Sequence, residues 1–566
     1  MNSELRQLIK RRGFYFLSQE SYGGSAGFYT YGPEGASLKA NIEDAWRRQF
    51  KQKESNMEID SPTIMKEAVF DASGHTETFD DMIIECGKCG EQHRADHLVE
   101  DNTEIDEAEA FAAEKIEEII EDENIQCPSC GASLSGIKVN DFNLMFETSI
   151  GPGDAERGFL RPETAQGIFV EFPRLKEYAR NDFPFGVVQI GRSYRNEISP
   201  RGGLSRVREF TQAELENFIL PGQDPDISDV EDVELRLYSR KLQDEGAEPA
   251  EMTVKESLEK DVVASEWVAY YLGVAQRWYE RIGVDPERLR FRQHQEDELS
   301  HYASDCWDAE TDVGHEEKDW LEITGFAFRG CHDVKQHHNH SNEDYRVFRE
   351  YDEPKEIEVK DISPDMSYFG PEFGDQAGKV IEKLEELVED SPEVFEQETI
   401  EIEVSGEEIE VPSEKAGFSQ RTEEKDGEKV FPQVVEPSFG VDRIFYSILV
   451  HSFEQDEVDG EERNVLRLER EVAPVEVAVM PLMDKDGLGE KAEEIRDELQ
   501  EAGFRVDYDD SGSIGRRYRR QDEVGTPYCV TVDYETLEDE DVTLRDRDST
   551  EQQRVEIGSL AEKLGE

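Results

Sequence analysis

The sequence predicts an α+β protein of two domains: a large mixed domain over about 1–470 and a smaller α/β domain over about 471–566. Three observations carry this. Apolar strand candidates cluster at 159–220, 320–333 and 430–450. A run of strand, polar loop and strand leads from Gly191 to Phe210. From Ala473 onward the pattern becomes strand 475–482, helix about 488–502, strand 504–508, a Gly- and Arg-rich turn, and strand 528–533. No internal repeat is evident.

The 566 residues suffice for two to four domains and a large core. No apolar run reaches spanning length, and Met1-Asn2-Ser3-Glu4 does not open a signal segment. A cytoplasmic protein without a membrane partner is expected. The seven cysteines are odd in number and four lie in CxxC pairs, which favours metal ligation over disulfides. The net charge is −71. Such acidity suits disorder, yet apolar strands such as Val475–Met480 recur and aromatics are plentiful. The better reading is a folded protein adapted to a high-salt cytosol. There the Debye length is roughly 3 Å and surface carboxylates scarcely repel one another.

In chain order, Gly27-Phe28-Tyr29-Thr30-Tyr31-Gly32-Pro33 suits a tight turn. Ile42–Phe50 reads as a helix, followed by an extended Ile59-Asp60-Ser61-Pro62-Thr63. Residues 85–131 hold two CxxC pairs around an acidic, helix-forming stretch. Acidic segments at about 221–290 and 341–430 read as insertions.

The run from Gly191 to Phe210 crowds five arginines, two glutamates and a phenylalanine around one loop. Arginine grips phosphate oxygens in a bidentate fork. Glutamate accepts from an exocyclic amine, and a phenyl ring lies against a purine. The set suits ATP bound without a P-loop, and the chain has no GxxxxGK[ST] run. A surface hairpin laced with ion pairs is the other reading.

This run resembles motif 2 of the class II aminoacyl-tRNA synthetases. Glu436-Pro437-Ser438-Phe439-Gly440-Val441-Asp442-Arg443 resembles their motif 3, and 42–63 their motif 1. Further runs resemble the glycyl-tRNA synthetases of the dimeric type. They are Ser73-Gly74-His75, Arg94–Leu98, Phe142–Phe146, Leu160-Arg161-Pro162-Glu163-Thr164-Ala165-Gln166-Gly167, His301-Tyr302-Ala303, Ser511–Tyr518 and Arg545–Asp548. The resemblance implies a class II antiparallel catalytic sheet, a C-terminal anticodon-binding domain, and a homodimer joined at motif 1. It implies activation of glycine by ATP with Mg2+, and transfer to tRNA(Gly).

By the same resemblance, Arg195 clamps the α-phosphate and Arg443 meets adenine or the γ-phosphate; these two are the catalytic candidates. Asn196, Glu197, Ser205, Arg206, Val207, Arg208, Glu209, Phe210, Glu322, Ile323 and Gly440 complete the ATP set. Glu163, Glu214 and Glu436 form a cage for the glycine ammonium. Ser438 lies near the α-carbon, with Phe210, Thr211, Gln212, Ala213 and Gly440 around it and Arg94 and Arg329 in support.

Cys86-x-x-Cys89 and Cys127-x-x-Cys130 offer four thiolates, the donor set of a closed structural Zn2+ site. Four reduced, non-ligand cysteines are the alternative. His332, His337, His338 and His340 are irregularly spaced and read as a polar loop. Cys306, Cys331 and Cys529 read as ordinary buried cysteines. The run Arg516-Arg517-Tyr518-Arg519-Arg520 is either a solvated helix face or a contact with RNA phosphates in which Tyr518 stacks on a base. The resemblance favours RNA.

Overall fold

A computed structural model describes residues 2–565 apart from 104, 106, 107, 109, 110, 154, 155, 201, 297, 299–304, 315–318, 405, 406 and 459. Arg201 and the run His301-Tyr302-Ala303 therefore lie outside the described residues. The chain divides into two compact units, Met1–Tyr345 with Phe431–Glu566, and Arg346–Val430.

The first unit is built on a nine-stranded sheet. Its strands are β1 (Met57–Glu58), β2 (Phe185–Tyr194), β3 (Glu209–Ile219), β4 (Glu234–Tyr238), β5 (Ala250–Thr253), β6 (Leu289–Gln293), β7 (Asp305–Asp312), β8 (Trp320–Gly330) and β9 (Gln433–Gly440). Their order is β5-β4-β6-β7-β8-β9-β3-β2-β1. All pairs are antiparallel except β1 with β2 and β4 with β6. One face carries the site. The other is covered by helices: α1 (Ser3–Arg12), α2 (Pro33–Trp46), α4 (Glu266–Ile282) and α6 (Val441–Ser452) supply Leu8, Trp46, Trp278 and Phe445 to the main core. Between these in sequence, α3 (Ala165–Tyr178) and α5 (His332–His340) frame the site.

Residues 221–290, expected to be an acidic insertion, contribute β4, β5 and the start of β6 to the sheet. Helix α4 buries Trp267, Tyr271, Trp278 and Ile282 on a 3.6-residue repeat. Net acidity hid this apolar face. The histidines expected in a polar loop lie on α5 instead, and His337 is buried there against Gln166.

The C-terminal α/β region has strands β10 (Val477–Pro481), β11 (Val506–Tyr508), β12 (Tyr528–Val532), β13 (Asp541–Asp546) and β14 (Gln552–Glu556) in the order β11-β10-β12-β13-β14. Helices α7 (Leu488–Glu501) and α8 (Ile514–Val524) pack on it. The expected Gly- and Arg-rich turn is thus mostly helix. Arg11 and Arg12 at the end of α1 grip Glu523 of α8 at 2.7 and 2.5 Å.

The unit Arg346–Val430 has its own core. A long ribbon pairs Val347–Ile362 with Phe418–Val430, and Phe369, Val380, Leu384, Ile400 and Val411 pack together, with Phe395 stacked on Phe418.

A carboxylate-floored cleft and a four-cysteine knuckle

Strands β2 and β3 form a regular antiparallel hairpin from Phe185↔Phe218 to Tyr194↔Glu209, and the polar loop between them folds back over the sheet. A cleft of about 170 Å³ opens beneath it. Its lining unites Arg195, Glu197, Ser205, Arg206, Val207, Phe210, Thr211 and Gln212 from the hairpin with Glu322 and Ile323 of β8 and Ser438, Gly440 and Arg443 of motif 3. Residues up to 248 positions apart in sequence, Arg195 and Arg443, thus share one wall.

Arg195 lies over the Phe79 and Phe210 rings, 5.5 and 5.4 Å from their centres. Its Nε donates to the Pro162 carbonyl. Arg206 Nε donates to Glu197 Oε2 at 2.6 Å. Arg443 donates to the Ser205 carbonyl at 3.0 Å and to Glu322 Oε2 at 3.0 Å. The motif 3 arginine therefore ties the hairpin loop to β8.

Other candidates stand further back. The Asn196 amide donates to Leu144 O, and Arg208 donates to the carbonyls of Glu197 and Ala26. Glu209 closes the hairpin opposite Tyr194, near Arg192. Ala213 is buried among the core residues. Arg94, expected beside glycine, pairs with Asp96 and Asp81 (Arg94 Nη1 to Asp81 3.2 Å), and Asp81 approaches Arg206. That pairing associates it with the loop arginines instead.

The Arg161-to-Gly167 run explains itself residue by residue. Arg161 is 1% exposed and donates to Arg192 O and Ser61 O, fastening motif 1 behind the hairpin. A Cβ at Gly191 would lie 2.1 Å from its Nη2, so any larger residue there would force this buried guanidinium to shift. Thr164 and Ser438 donate to Glu214, the latter at 2.6 Å, and Gln212 donates at 2.9 Å. His337 is pushed down to about 4 by burial. The neutral ring donates from Nε2 to Gln166 Oε1 at 3.0 Å, which turns the Gln166 amide to donate to Glu163 Oε1 at 2.8 Å.

Arg329 holds both oxygens of Asp333 at 2.8 Å and donates from Nη1 to Glu436 Oε2 at 2.7 Å. The three buried glutamates lie close enough to influence one another's ionisation, and their carboxyls are shifted in different directions. Burial raises Glu163, but His75, 3.7 Å away, with Arg329 and Gln166, overcomes this and holds it well below the ordinary range. Burial and the charge of Glu163 push Glu214 up, against the donors on it. Burial pushes Glu436 up to about 7, with Arg329 opposing and Glu214 and Glu163 adding to the rise.

Sequence reasoning missed several neighbours. Asp442 lines the cleft and accepts from Tyr31 and from the Thr211 amide. Glu216 is 0% exposed, and among the described residues neither of its oxygens has a hydrogen-bond partner. Burial, then Glu436, raise it well above a normal carboxyl. Its alternation with Glu214 along β3 was the available signal.

With this geometry, residues 146–452 match the tRNA synthetase class II core domain (G, H, P, S and T), and 476–566 match an anticodon binding domain. A glycine–tRNA ligase of Methanothrix thermoacetophila is 49% identical over 98% of this chain and 94% of its own length. One from Archaeoglobus fulgidus is 48% identical over 100% of this chain and 96% of its own. The chain belongs to the glycine–tRNA ligase family. The class II fold of this family is shared with a prolyl-tRNA synthetase from Cryptosporidium parvum, solved with L-proline and AMP. The TM-score is 0.51 at 14% identity, covering 99% of this chain and 74% of that one.

In this ligase-family chain the four knuckle cysteines converge. Cys86 and Cys130 sulfurs are 3.7 Å apart, as are those of Cys89 and Cys127. All four lie within 4.8 Å of one another. Tetrahedral sulfurs at Zn–S bonds of about 2.3 Å stand about 3.8 Å apart, so the cluster fits zinc.

The RNA candidates divide. Arg516 is exposed on α8. Arg517 is 2% exposed and donates to the carbonyls of Pro481, Asp510 and Gly512, so it cannot reach a phosphate. Arg520 grips Asp509 and Ser511, Tyr518 bonds Thr531 under Arg545, and Arg519 stands 3.8 Å from Glu461. Arg516, Tyr518, Arg519 and Arg545 line a hollow of about 830 Å³.

Proposed function

We propose that this chain is a glycine–tRNA ligase that activates glycine with ATP and transfers it to the 3′ end of tRNA(Gly). The main support is that Arg195 and Arg443 line the cleft whose floor carries Ser438, which is bonded to Glu214. A nucleotide lies between cations there while a small ammonium meets carboxylates beyond it. Residues 1–470 are assigned to this chemistry, with a metal-bearing insertion at about 85–131, and 471–566 to the anticodon.

In the first step a glycine carboxylate oxygen attacks the α-phosphorus and the bond to pyrophosphate breaks. The nucleophile is already ionised, so no protein base is needed. Arg195 stabilises charge building on the α-phosphate, Phe210 supports the adenine face, and Glu197 accepts its amine. Glu163, Glu214 and Glu436 hold the ammonium, and Ser438 closes the space a methyl group would need; an intrusive methyl costs about 1–3 kcal/mol. In the second step the terminal ribose hydroxyl attacks the glycyl carbonyl. The anhydride bond breaks, AMP leaves, and the hydroxyl proton passes to the phosphate or to water. Positioning carries both steps.

Mg2+ takes oxygen ligands, and the exposed Glu322 carboxylate at the cleft mouth would hold it; it neutralises triphosphate charge when bound. Zn2+ would be held by Cys86, Cys89, Cys127 and Cys130 and would serve structure, since four protein ligands leave no open position. Arg516 and the hollow beside it would meet tRNA. A homodimer joined at motif 1 and a salt-rich cytoplasm complete the reading. No helix among the described residues is long and apolar enough to cross a membrane.

Glycine-dependent ATP–pyrophosphate exchange, run beside alanine, serine and proline in molar salt, tests the proposal. Exchange with glycine alone supports it; exchange with none, or equally with alanine, removes it.

A further inference from the structure

One side-chain cluster on the site's face of the sheet is not used by the chemistry above. His294, just beyond β6, and Cys306 and Asp308, alternate residues of β7, each present a ligand atom, and these atoms lie within 4.8 Å of one another. They are held there by the sheet. The His294 amide donates to the Cys306 carbonyl at 3.0 Å, which fixes where the imidazole starts. His294 Nε2 and Asp308 Oδ2 are 2.8 Å apart.

The cluster borders the cleft. Across the ladder Asp308 stands opposite Gly325, and Gly325 opposite Ser438. Cys306 stands opposite Ala327, and Ala327 opposite Glu436. Only Ala327 stands between this cluster and Glu436 along one rung, and only Gly325 between it and Ser438 along the other. Gly325 itself lines the cleft, and a Cβ on it would sit 3.6 Å from Asp308 Oδ1. Asp308 thus turns one oxygen to His294 and the other toward the cleft floor.

We propose that His294, Cys306 and Asp308 form a second metal site, for a transition ion of the Zn2+ class, with one open position directed over Gly325 into the cleft. A thiolate, an imidazole and a carboxylate are the donors that select zinc-like ions over magnesium. Three protein ligands with a vacant fourth position are the pattern of an open site, unlike the closed four-cysteine knuckle. Around such an ion, nitrogen and oxygen at bonds of about 2.05 Å stand about 3.3 Å apart, so His294 and Asp308 need part by only about half an ångström. The ion replaces the proton they share and the thiol proton of Cys306. Its open position accepts an oxygen of water, a carboxylate or a phosphate.

Cobalt(II) is the probe, because thiolate-to-cobalt absorption reports each site. The full-length protein, stripped of metal and titrated with Co2+ in molar salt, should bind two equivalents, whereas Cys306→Ser and His294→Gln should each bind one. Adding pyrophosphate should shift the cobalt spectrum of the wild-type protein. It should leave that of Cys306→Ser, which retains only the closed knuckle, unchanged. Circular dichroism of both variants establishes that they fold, and since they remove different ligands, either alone suffices. Equal stoichiometry in the wild type and the folded variants, or a pyrophosphate response that persists without Cys306, overturns the site.

Discussion

Ser438 donates its hydroxyl to Glu214 Oε1 at 2.6 Å, directly across the ladder between β9 and β3. With Thr164 and Gln212 also donating, a fully buried carboxylate is held in one orientation by three side chains. Glu214→Gln replaces an acceptor by a donor facing two hydroxyls. Losing one partner of a buried charge pair costs about 2–5 kcal/mol. The glycine KM should therefore rise by at least about thirtyfold while the ATP KM changes little, as measured by exchange kinetics.

Glu436 carries a pH dependence. Its carboxyl is raised to about 7 in the folded chain. The native state then holds a proton that the unfolded state has lost between about pH 4.3 and 7, so this group's contribution to stability falls as pH rises through that window. Glycine binding runs the other way, because only the ionised form meets the ammonium. Glycine affinity should increase with pH up to about 7 and level off above it, with proton release seen by calorimetry in buffers of different ionisation enthalpy. Glu436→Gln should bind weakly and lack this slope.

The two adjacent arginines of α8 should behave differently. Arg516→Ala should weaken tRNA binding and leave unfolding within about 0.5 kcal/mol of wild type. Arg517→Ala strands carbonyls that it now satisfies and should destabilise the C-terminal domain by about 1–3 kcal/mol. Denaturant unfolding beside a filter-binding assay separates the two; the opposite pattern would reverse their assignments.

Salt should set stability as a whole. With a net charge of −71, dilution from about 1 M to 0.1 M salt lengthens the screening distance from about 3 to 10 Å. Thermal unfolding should fall markedly over that range. An unchanged midpoint would contradict salt adaptation of this protein.

These residues show how much of the molecule was legible in its sequence. The cleft could be read because its chemistry is written in contiguous runs, and one hairpin brings Arg195, Arg206 and Phe210 to the same wall. The C-terminal alternation gave strands and helices within a few residues. Other features were hidden by composition. Glu216 is one carboxylate among many until its burial, with no hydrogen-bond partner among the described residues, marks it. Arg517 and Arg516 are the same residue type, and only the fold decides that one clamps carbonyls while its neighbour faces solvent. The apolar face of α4 lies inside a segment whose net acidity suggested an appendage. Cys306 read as an ordinary cysteine because its partners are a histidine beyond β6 and an aspartate on its own strand, brought together only by the sheet.

Arg195 is expected to stabilise charge at the α-phosphate of ATP while glycine attacks it. The most direct test is glycine-dependent ATP–pyrophosphate exchange by Arg195→Ala in molar salt, beside the ATP dissociation constant of the same variant. Loss of one such donor costs about 10²–10³ in rate. Exchange should fall by that factor while ATP binding weakens far less. Exchange at the wild-type rate in a folded Arg195→Ala protein would contradict the claim.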